Sequence, residues 1–348
     1  MITWRRGTVS SLGARWPGAI TLTVDVEGVA TPALAYTDLV GEPALGDLVL
    51  LNLTALALGL GTGGQALVVA IPDRLPPDRI GPGHLVKARY TPLQAVVLGA
   101  DEQDAPTHDL LAGLEGLPPP GLPVVVADLH SSLPAVVAGA LLDRPGARIA
   151  YVMTDGGALP LALSRTVAAL AGALVGTVTV GQAYGGDLEA VTLHSGLLAA
   201  ARVLGADIAV VTQGPGNLGT GTAWGFSGVA AGEAVNAAVA IGARPVAALR
   251  MSVADPRPRH QGVSHHSATA YGRVALSPAD VVVPSSYAHL VDAELFARHR
   301  VVTVSDDGLL GALEASPAKL STMGRGLHDD PVAFVAAAAA GRYAVSLL

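Results

Sequence analysis

The sequence predicts an α/β fold: a mainly parallel, doubly wound sheet behind a small N-terminal all-β, barrel-like domain. Three observations carry this. Residues 1–90 hold short alternating runs between Gly, Pro and Asp turns. After about residue 90, apolar runs instead alternate with Ala- and Leu-rich helical patterns, the format of a parallel sheet covered on both faces. At 207–222, DIAVVTQGPGNLGTGT, an apolar run stops in a polar, glycine-rich loop that leads into a small-residue helix pattern. That is a buried strand delivering backbone to a helix N-terminus, where α/β proteins bind anions.

The elements follow in order. In AITLTVDVEG, Ile20, Leu22, Val24 and Val26 alternate with polar residues, giving a half-buried strand. Further short strands are expected at 33–36, 47–53 and 66–71, then an exposed connection, PDRLPPDRIGPGH, and a last strand at 87–91. The domain boundary is placed near 90, leaving 91–348 as a Rossmann-like body. In the body, strands are expected near 95–98, 124–127, 149–153, 175–180, 208–211, 246–249, 281–283 and 301–304. Helices are expected near 132–142, 161–174, 188–204, 224–241, 289–299, 309–315 and 331–340. Whether the strands form one sheet or two is left open by the pattern.

Composition narrows the function classes. The 348 residues are 51% hydrophobic and 14% charged, which supports a large core and argues against disorder. The formal charge of -7, and the lack of a basic and aromatic stripe in 1–90, argue against nucleic-acid binding. There is no Cys, so disulfides, thiolate metal sites and a cysteine nucleophile are excluded. The uncharged stretches at 48–72 and 166–186 are broken by glycines and polar residues, so no membrane span is expected. MITWRRGTVSS has no apolar run of signal-peptide length, and a cytoplasmic location is expected. The apolar composition is compatible with a homo-oligomer, though no element demonstrates one.

Ligands of open parallel sheets bind beyond the carboxyl ends of the strands. Four strands here end in polar turns: VVVADLHSS with Asp128 and His130, AYVMTDGG with Thr154 and Asp155, AVVTQGPGN with Thr212, Gln213 and Asn217, and AALRMSVAD with Arg250, Ser252 and Asp255. In the glycine loop, Gln213, Gly214, Gly216, Asn217 and Thr220 are candidate ligand-binding residues, because glycines let backbone N–H groups face a ligand. The loop has neither the spacing nor the Lys of a P-loop. Asp187, after Gly185 and Gly186, reads either as the N-cap of the 188–204 helix or, with Glu189, as a catalytic carboxylate pair. The most polar stretch, ADPRPRHQGVSHHSATAYGR, contributes Arg257, Arg259, His260, His265 and His266 to a loop held extended by Pro256 and Pro258 before a short helix opened near Ser264. Arg suits carboxylate or phosphate, and a histidine at a helix N-terminus is biased towards its neutral form. Adjacent His265 and His266 do not easily point at one ion, so a metal requirement and any cofactor stay unassigned at this level.

The combination of GQAYGGDLEA, VVTQGPGNLGTGT with WGFSG, and RHQGVSHHS resembles a bacterial family of uncharacterised proteins, seen in actinobacteria and firmicutes and carried as a domain of unknown function. The resemblance runs over most of the chain and implies no activity, substrate or cofactor. From the residues themselves, the leading expectation is an α/β enzyme, or a ligand-binding relative of one, acting on a small anionic metabolite. His265 or His260, with Asp187 and Glu189, would handle protons. Asp128, His130, Asp155, Arg250, Arg257, Arg259 and His266 would join the glycine loop around the ligand. The rival expectation is a non-catalytic ligand-sensing or protein-assembly module.

Overall fold

A computed structural model describes all residues except Thr62, Arg79, Ile80, Gly157 and Ala158. The GTGG break, the PDRLPPDRIGPGH connection and the end of the TDGG turn therefore lie partly outside the described residues. By their internal contacts the residues fall into two compact units: Met1–Gly81 with Tyr90–Ala95 and Ala162–Ala168, and Pro82–Arg89 with Val96–Leu161 and Ala169–Leu348.

The first unit is a closed five-stranded barrel. Its strands are β1 (Trp4–Trp16), β2 (Ala19–Val26), β3 (Val29–Tyr36), β4 (Leu48–Asn52) and β5 (Ala66–Ala70), in the order β1-β2-β3-β5-β4. The alternation in β2 places Ile20, Leu22, Val24 and Val26 in the barrel core beside Val49, Leu51 and Val68. Closure removes the exposed edges that a small open sheet would carry. Residues 162–168 join this unit because the Trp16 indole Nε1 donates to the Ala162 carbonyl at 2.6 Å and the Arg165 guanidinium lies 5.0 Å from the Trp16 ring centroid.

The second unit is built on one eight-stranded parallel sheet. Its strands are β6 (Pro123–Val126), β7 (Ile149–Thr154), β8 (Gly176–Val180), β9 (Leu188–Ala190), β10 (Ile208–Gln213), β11 (Arg244–Ala248), β12 (Asp280–Pro284) and β13 (Arg300–Val304). Their spatial order is β9-β8-β7-β10-β6-β11-β12-β13. The central strands are buried along their length, as unbroken apolar runs such as IAVV require. Helices α1 (Leu133–Asp143), α2 (Leu193–Arg202), α3 (Ala230–Ala240), α4 (His265–Thr269), α5 (Leu309–Glu314) and α6 (Pro331–Ser346) cover it. Helices α2, α3 and the segment after α4 pack with one another, and α1, α5 and α6 form a second group.

Small residues set the closest approaches. A Cβ on Gly139 of α1 would strike the Ala338 carbonyl of α6, and one on Gly341 of α6 would strike the Val136 carbonyl of α1. On α3, a Cβ on Gly232 would meet the carbonyl of Ala270. Ala270–Val274 is a π-helical turn that continues α4 directly.

Several expected elements differ. The 95–98 run is not in the large sheet; Ala95–Val97 pairs with Leu85–Lys87 in a separate ribbon. The place is taken by β9, cut from the expected 188–204 helix because Val178, Thr179 and Val180 pair in parallel with Leu188, Glu189 and Ala190. The remaining helix, α2, is capped by Thr192, whose side chain accepts from Ser195 N in a reciprocal capping box, and not by Asp187. The expected 161–174 and 289–299 helices are reduced to short turns: Leu161–Leu163 and Arg165–Ala169 in the first, Ser285–Leu290 and Ala293–Phe296 in the second. No helix among the described residues is long and apolar enough to cross a membrane.

Candidate functional site

The strand order reverses direction around β6. From β6 the chain moves through β7, β8 and β9 to one side, returns at β10, and continues from β11 through β12 and β13 to the other. Such a switch point opens a crevice at the carboxyl ends of the central strands. The four polar turns follow β7, β10, β6 and β11, which are neighbours in that order, so all four emerge on one edge.

Three of these turns meet in the crevice. Asp128, just past β6, is 2% exposed, and its carbonyl accepts from Gln213 Nε2 at 2.8 Å. Arg250, just past β11, is held by its backbone: its N–H donates to Ser267 Oγ at 2.9 Å and its carbonyl accepts from Ser264 N at 2.9 Å. The Arg250 guanidinium then lies 2.9 Å from His266 Nδ1 and 3.8 Å from Asp128 Oδ2, while His266 Nδ1 is 3.3 Å from that same carboxylate oxygen.

The polar stretch after Arg250 is a short hairpin. Met251–Ser252 pairs antiparallel with Gly262–Val263. Asp255, fully buried within it, accepts from Arg257 Nε at 2.8 Å and Nη2 at 2.7 Å, and from Arg325 Nη2 at 2.9 Å. These guanidinium contacts, Arg257 foremost, hold the Asp255 carboxyl well below the usual carboxylate range. The hairpin returns through a 3-10 turn, Pro258–His260, that buries His260. Ser264 then caps α4, accepting from His266 N at 3.2 Å, and its Oγ also lies 2.7 Å from His260 Nδ1. One hydroxyl therefore fixes both the start of the helix and the plane of an imidazole.

Three imidazoles converge as a result. Ring centroids of His260, His265 and His266 are separated by 4.5–5.0 Å, and one ring nitrogen from each lies within 4.8 Å of the others. Phe226, from the end of the glycine loop, stacks on His266 at 3.7 Å with an interplanar angle of 3° and meets His265 edge-on at 5.9 Å. Burial, reinforced by Arg250, Arg257 and His266, pushes His260 down to about 3. His265 is lowered by burial and then by His266, Arg259, Arg250 and Arg257. Both rings are therefore neutral at pH 7, with a lone pair available. His265 Nε2 is buried without a hydrogen-bond partner, and so are Gln213 Oε1 and Asn217 Nδ2. A small crevice is lined by Asp128, Thr154, Gln213, Ser227 and Gly228, and Asp128 connects it to His266.

Other sequence-nominated residues lie elsewhere or are otherwise engaged. Asp187 and Glu189 do not face the imidazoles; β9 is four strand positions from β6, about 19 Å at ~4.8 Å per strand. Asp187 Oδ2 accepts from both the N–H and the hydroxyl of Thr177 at 2.8 Å. Buried Glu189 accepts from Thr179 Oγ1 at 2.8 Å and Gly185 N at 2.6 Å, and lies 3.3 Å from the buried Lys87 ammonium. Burial pushes Glu189 up and Lys87 down, each offset by the other's charge. The pair lies at the sheet edge, on the outermost strand. Asp155 accepts from Gln182 N at 3.0 Å on the same side. His130 belongs to a buried chain in which its Nδ1 is 3.0 Å from Tyr151 Oη, itself 3.0 Å from Thr212 Oγ1; burial pushes His130 down to about 4. Arg257 is committed to Asp255, whereas Arg259 reaches towards Gly221 at the glycine loop.

The glycine loop closes largely on itself. Thr220 N donates to Gly225 O at 2.7 Å, Leu218 N to Ser227 Oγ at 3.1 Å and Ser227 N to Leu218 O at 2.9 Å, while Gly214 N reaches Thr154 O at 3.3 Å. These N–H groups serve the loop, and its contribution to the site is Phe226 and the Gln213 and Asn217 amides. Phe226 and Tyr151 had no sequence signal of their own, because an aromatic in a loop or a buried strand reads as packing.

No curated protein and no solved structure matches the chain. Residues 32–341 match the model of a family described as "Protein of unknown function (DUF3866)", a span that begins inside the barrel and runs almost through α6. With most of its length matched, the chain belongs to the DUF3866 family.

Proposed function

We propose that the protein is an α/β enzyme acting on a small anionic metabolite, phosphate- or carboxylate-bearing, bound in the switch-point crevice. The observation that carries the reading is the neutral, unpartnered His265 imidazole beside two guanidinium groups, Arg250 and Arg259. A buried ring nitrogen without a partner is costly unless something binds it, and guanidiniums that disfavour a proton there favour an anion. Arg250 and Arg259 meet the anion's charge. His265 takes or gives a proton, as a neutral imidazole can near pH 7. The orphaned Gln213 Oε1 and Asn217 Nδ2 supply one acceptor and one donor for a polar substrate group.

The test is a thermal-shift screen of the full chain against phosphate- and carboxylate-bearing metabolites. A ligand at a hundredfold excess over its dissociation constant stabilises by about 2.7 kcal/mol. A stabilising ligand whose effect weakens in Arg259→Ala and disappears in His265→Ala is the expected result. A ligand bound equally by wild type and His265→Ala places the chemistry elsewhere and overturns the reading.

A further inference from the structure

The three imidazoles have a geometry that acid–base work alone does not require. Proton transfer needs one ring, yet three ring nitrogens face one another within 4.8 Å. Two of the rings are also held from behind. Ser264 Oγ engages His260 Nδ1, leaving Nε2 for a ligand; Asp128 stands behind His266; and Phe226 clamps the His266 plane. A hydroxyl and a carboxylate behind imidazoles are what fixes ring orientation and basicity in metal sites.

We propose that His260, His265 and His266 bind one divalent transition-metal cation of the zinc type, with Asp128 and Ser264 as the groups that orient the ligands. The inference rests on the reading of this crevice as the substrate site and deepens it: with the ion bound, His265 serves as a ligand and no longer as the free acid–base group. Three nitrogen donors select zinc-like cations over magnesium or calcium, which take oxygen ligands. Nitrogens around a tetrahedral ion with bonds of about 2.1 Å lie roughly 3.4 Å apart. Closing from 4.8 Å is a movement of about 1.4 Å at most, within reach of side-chain rotation on a fixed backbone.

Three protein ligands leave a coordination position for water or a substrate oxygen. In the structure Arg250 Nη1 donates to His266 Nδ1 at 2.9 Å; ligation through Nε2 would require that contact to be exchanged for one to Asp128 Oδ2, which lies 3.3 Å from His266 Nδ1 and 3.8 Å from the same guanidinium nitrogen. Arg250 and Arg259 oppose a bare cation, so the ion and the anionic substrate favour each other's binding; by linkage the gain is the same in both directions.

The experiment uses untagged, chelator-treated full chain titrated with Co2+ and Zn2+, read by the visible absorption of tetrahedral cobalt and by calorimetry. One ion per chain is expected. His260→Ala, His265→Ala and His266→Ala should each lose at least a hundredfold in affinity, and Asp128→Asn ten- to a hundredfold. His265→Gln, with its melting transition recorded alongside, separates ligand loss from unfolding. His194→Ala, on α2, should bind as wild type does. No cobalt spectrum from folded wild type, or equal affinity in a folded His265→Gln variant, overturns the proposal. Anion binding is measured on the same chelator-treated protein. Anion binding without metal binding defeats this inference alone, and metal binding with no anion on the panel defeats the substrate reading alone.

Discussion

Replacing Ser264 with alanine removes two interactions through one atom. The hydroxyl accepts from His266 N at 3.2 Å as the cap of α4 and contacts His260 Nδ1 at 2.7 Å, with Ser264 itself fully buried. Loss of a cap costs about 1 kcal/mol. Leaving a buried imidazole nitrogen unpaired costs roughly 1–3 kcal/mol more. The sum is about 2–4 kcal/mol, large against the ~0.5 kcal/mol of an ordinary surface substitution. Equilibrium urea denaturation of wild type and Ser264→Ala gives the number, with Ser264→Thr as the variant that keeps the hydroxyl. The m-value should stay constant while the midpoint falls, and Ser264→Thr should recover most of the cap contribution. A midpoint unchanged in Ser264→Ala would refute the claim that this hydroxyl holds both the helix start and His260.

Gly139→Ala should destabilise by roughly 1–3 kcal/mol or more, since the added Cβ meets the Ala338 backbone and no side chain can yield; differential scanning calorimetry checks it. Stability should fall with acidification. The folded His130 is held down to about 4 against about 6.5 unfolded, so the unfolded chain binds the proton first. The contribution is present above pH 6.5 and lost as pH drops through 4, about 3 kcal/mol in all. His130→Gln should flatten that part of a stability–pH curve measured by chemical denaturation. Lys87→Met should cost about 3–5 kcal/mol by leaving Glu189 buried without its cation, and Lys87→Met combined with Glu189→Met should recover much of it in a double-mutant cycle.

The fold could be read from the chain wherever one local pattern dominates. Alternation in AITLTVDV and unbroken apolar runs such as IAVV state their burial directly, and both became the strands they describe. The failures came where pairing overrode pattern. Leu188–Ala190 looks like the first turn of a helix, yet it adds to the sheet because Val178 to Val180 present a free parallel edge there. Reading those residues as helix also made Asp187 and Glu189 look like cleft carboxylates; the strand places them at the far edge, tied to Thr177 and to Lys87. The sequence order of the polar turns was informative because α/β connectivity forces them to one edge. It could not say which turns are neighbours, and that depends on the reversal around β6. The convergence of His265 and His266 was equally hidden. Adjacent helical residues diverge by about 100°, and only the hairpin that folds His260 back, with Phe226 against both rings, brings the nitrogens together.

The most direct measurement is histidine side-chain nuclear magnetic resonance on ring-15N-labelled protein, recorded as zinc and then a phosphate- or carboxylate-bearing ligand are added. His260, His265 and His266 should respond together to the cation and His265 again to the anion, while His130, His194 and His299 stay in place. Responses at His130 or His194 with the three converging imidazoles unmoved would contradict a site at the switch point.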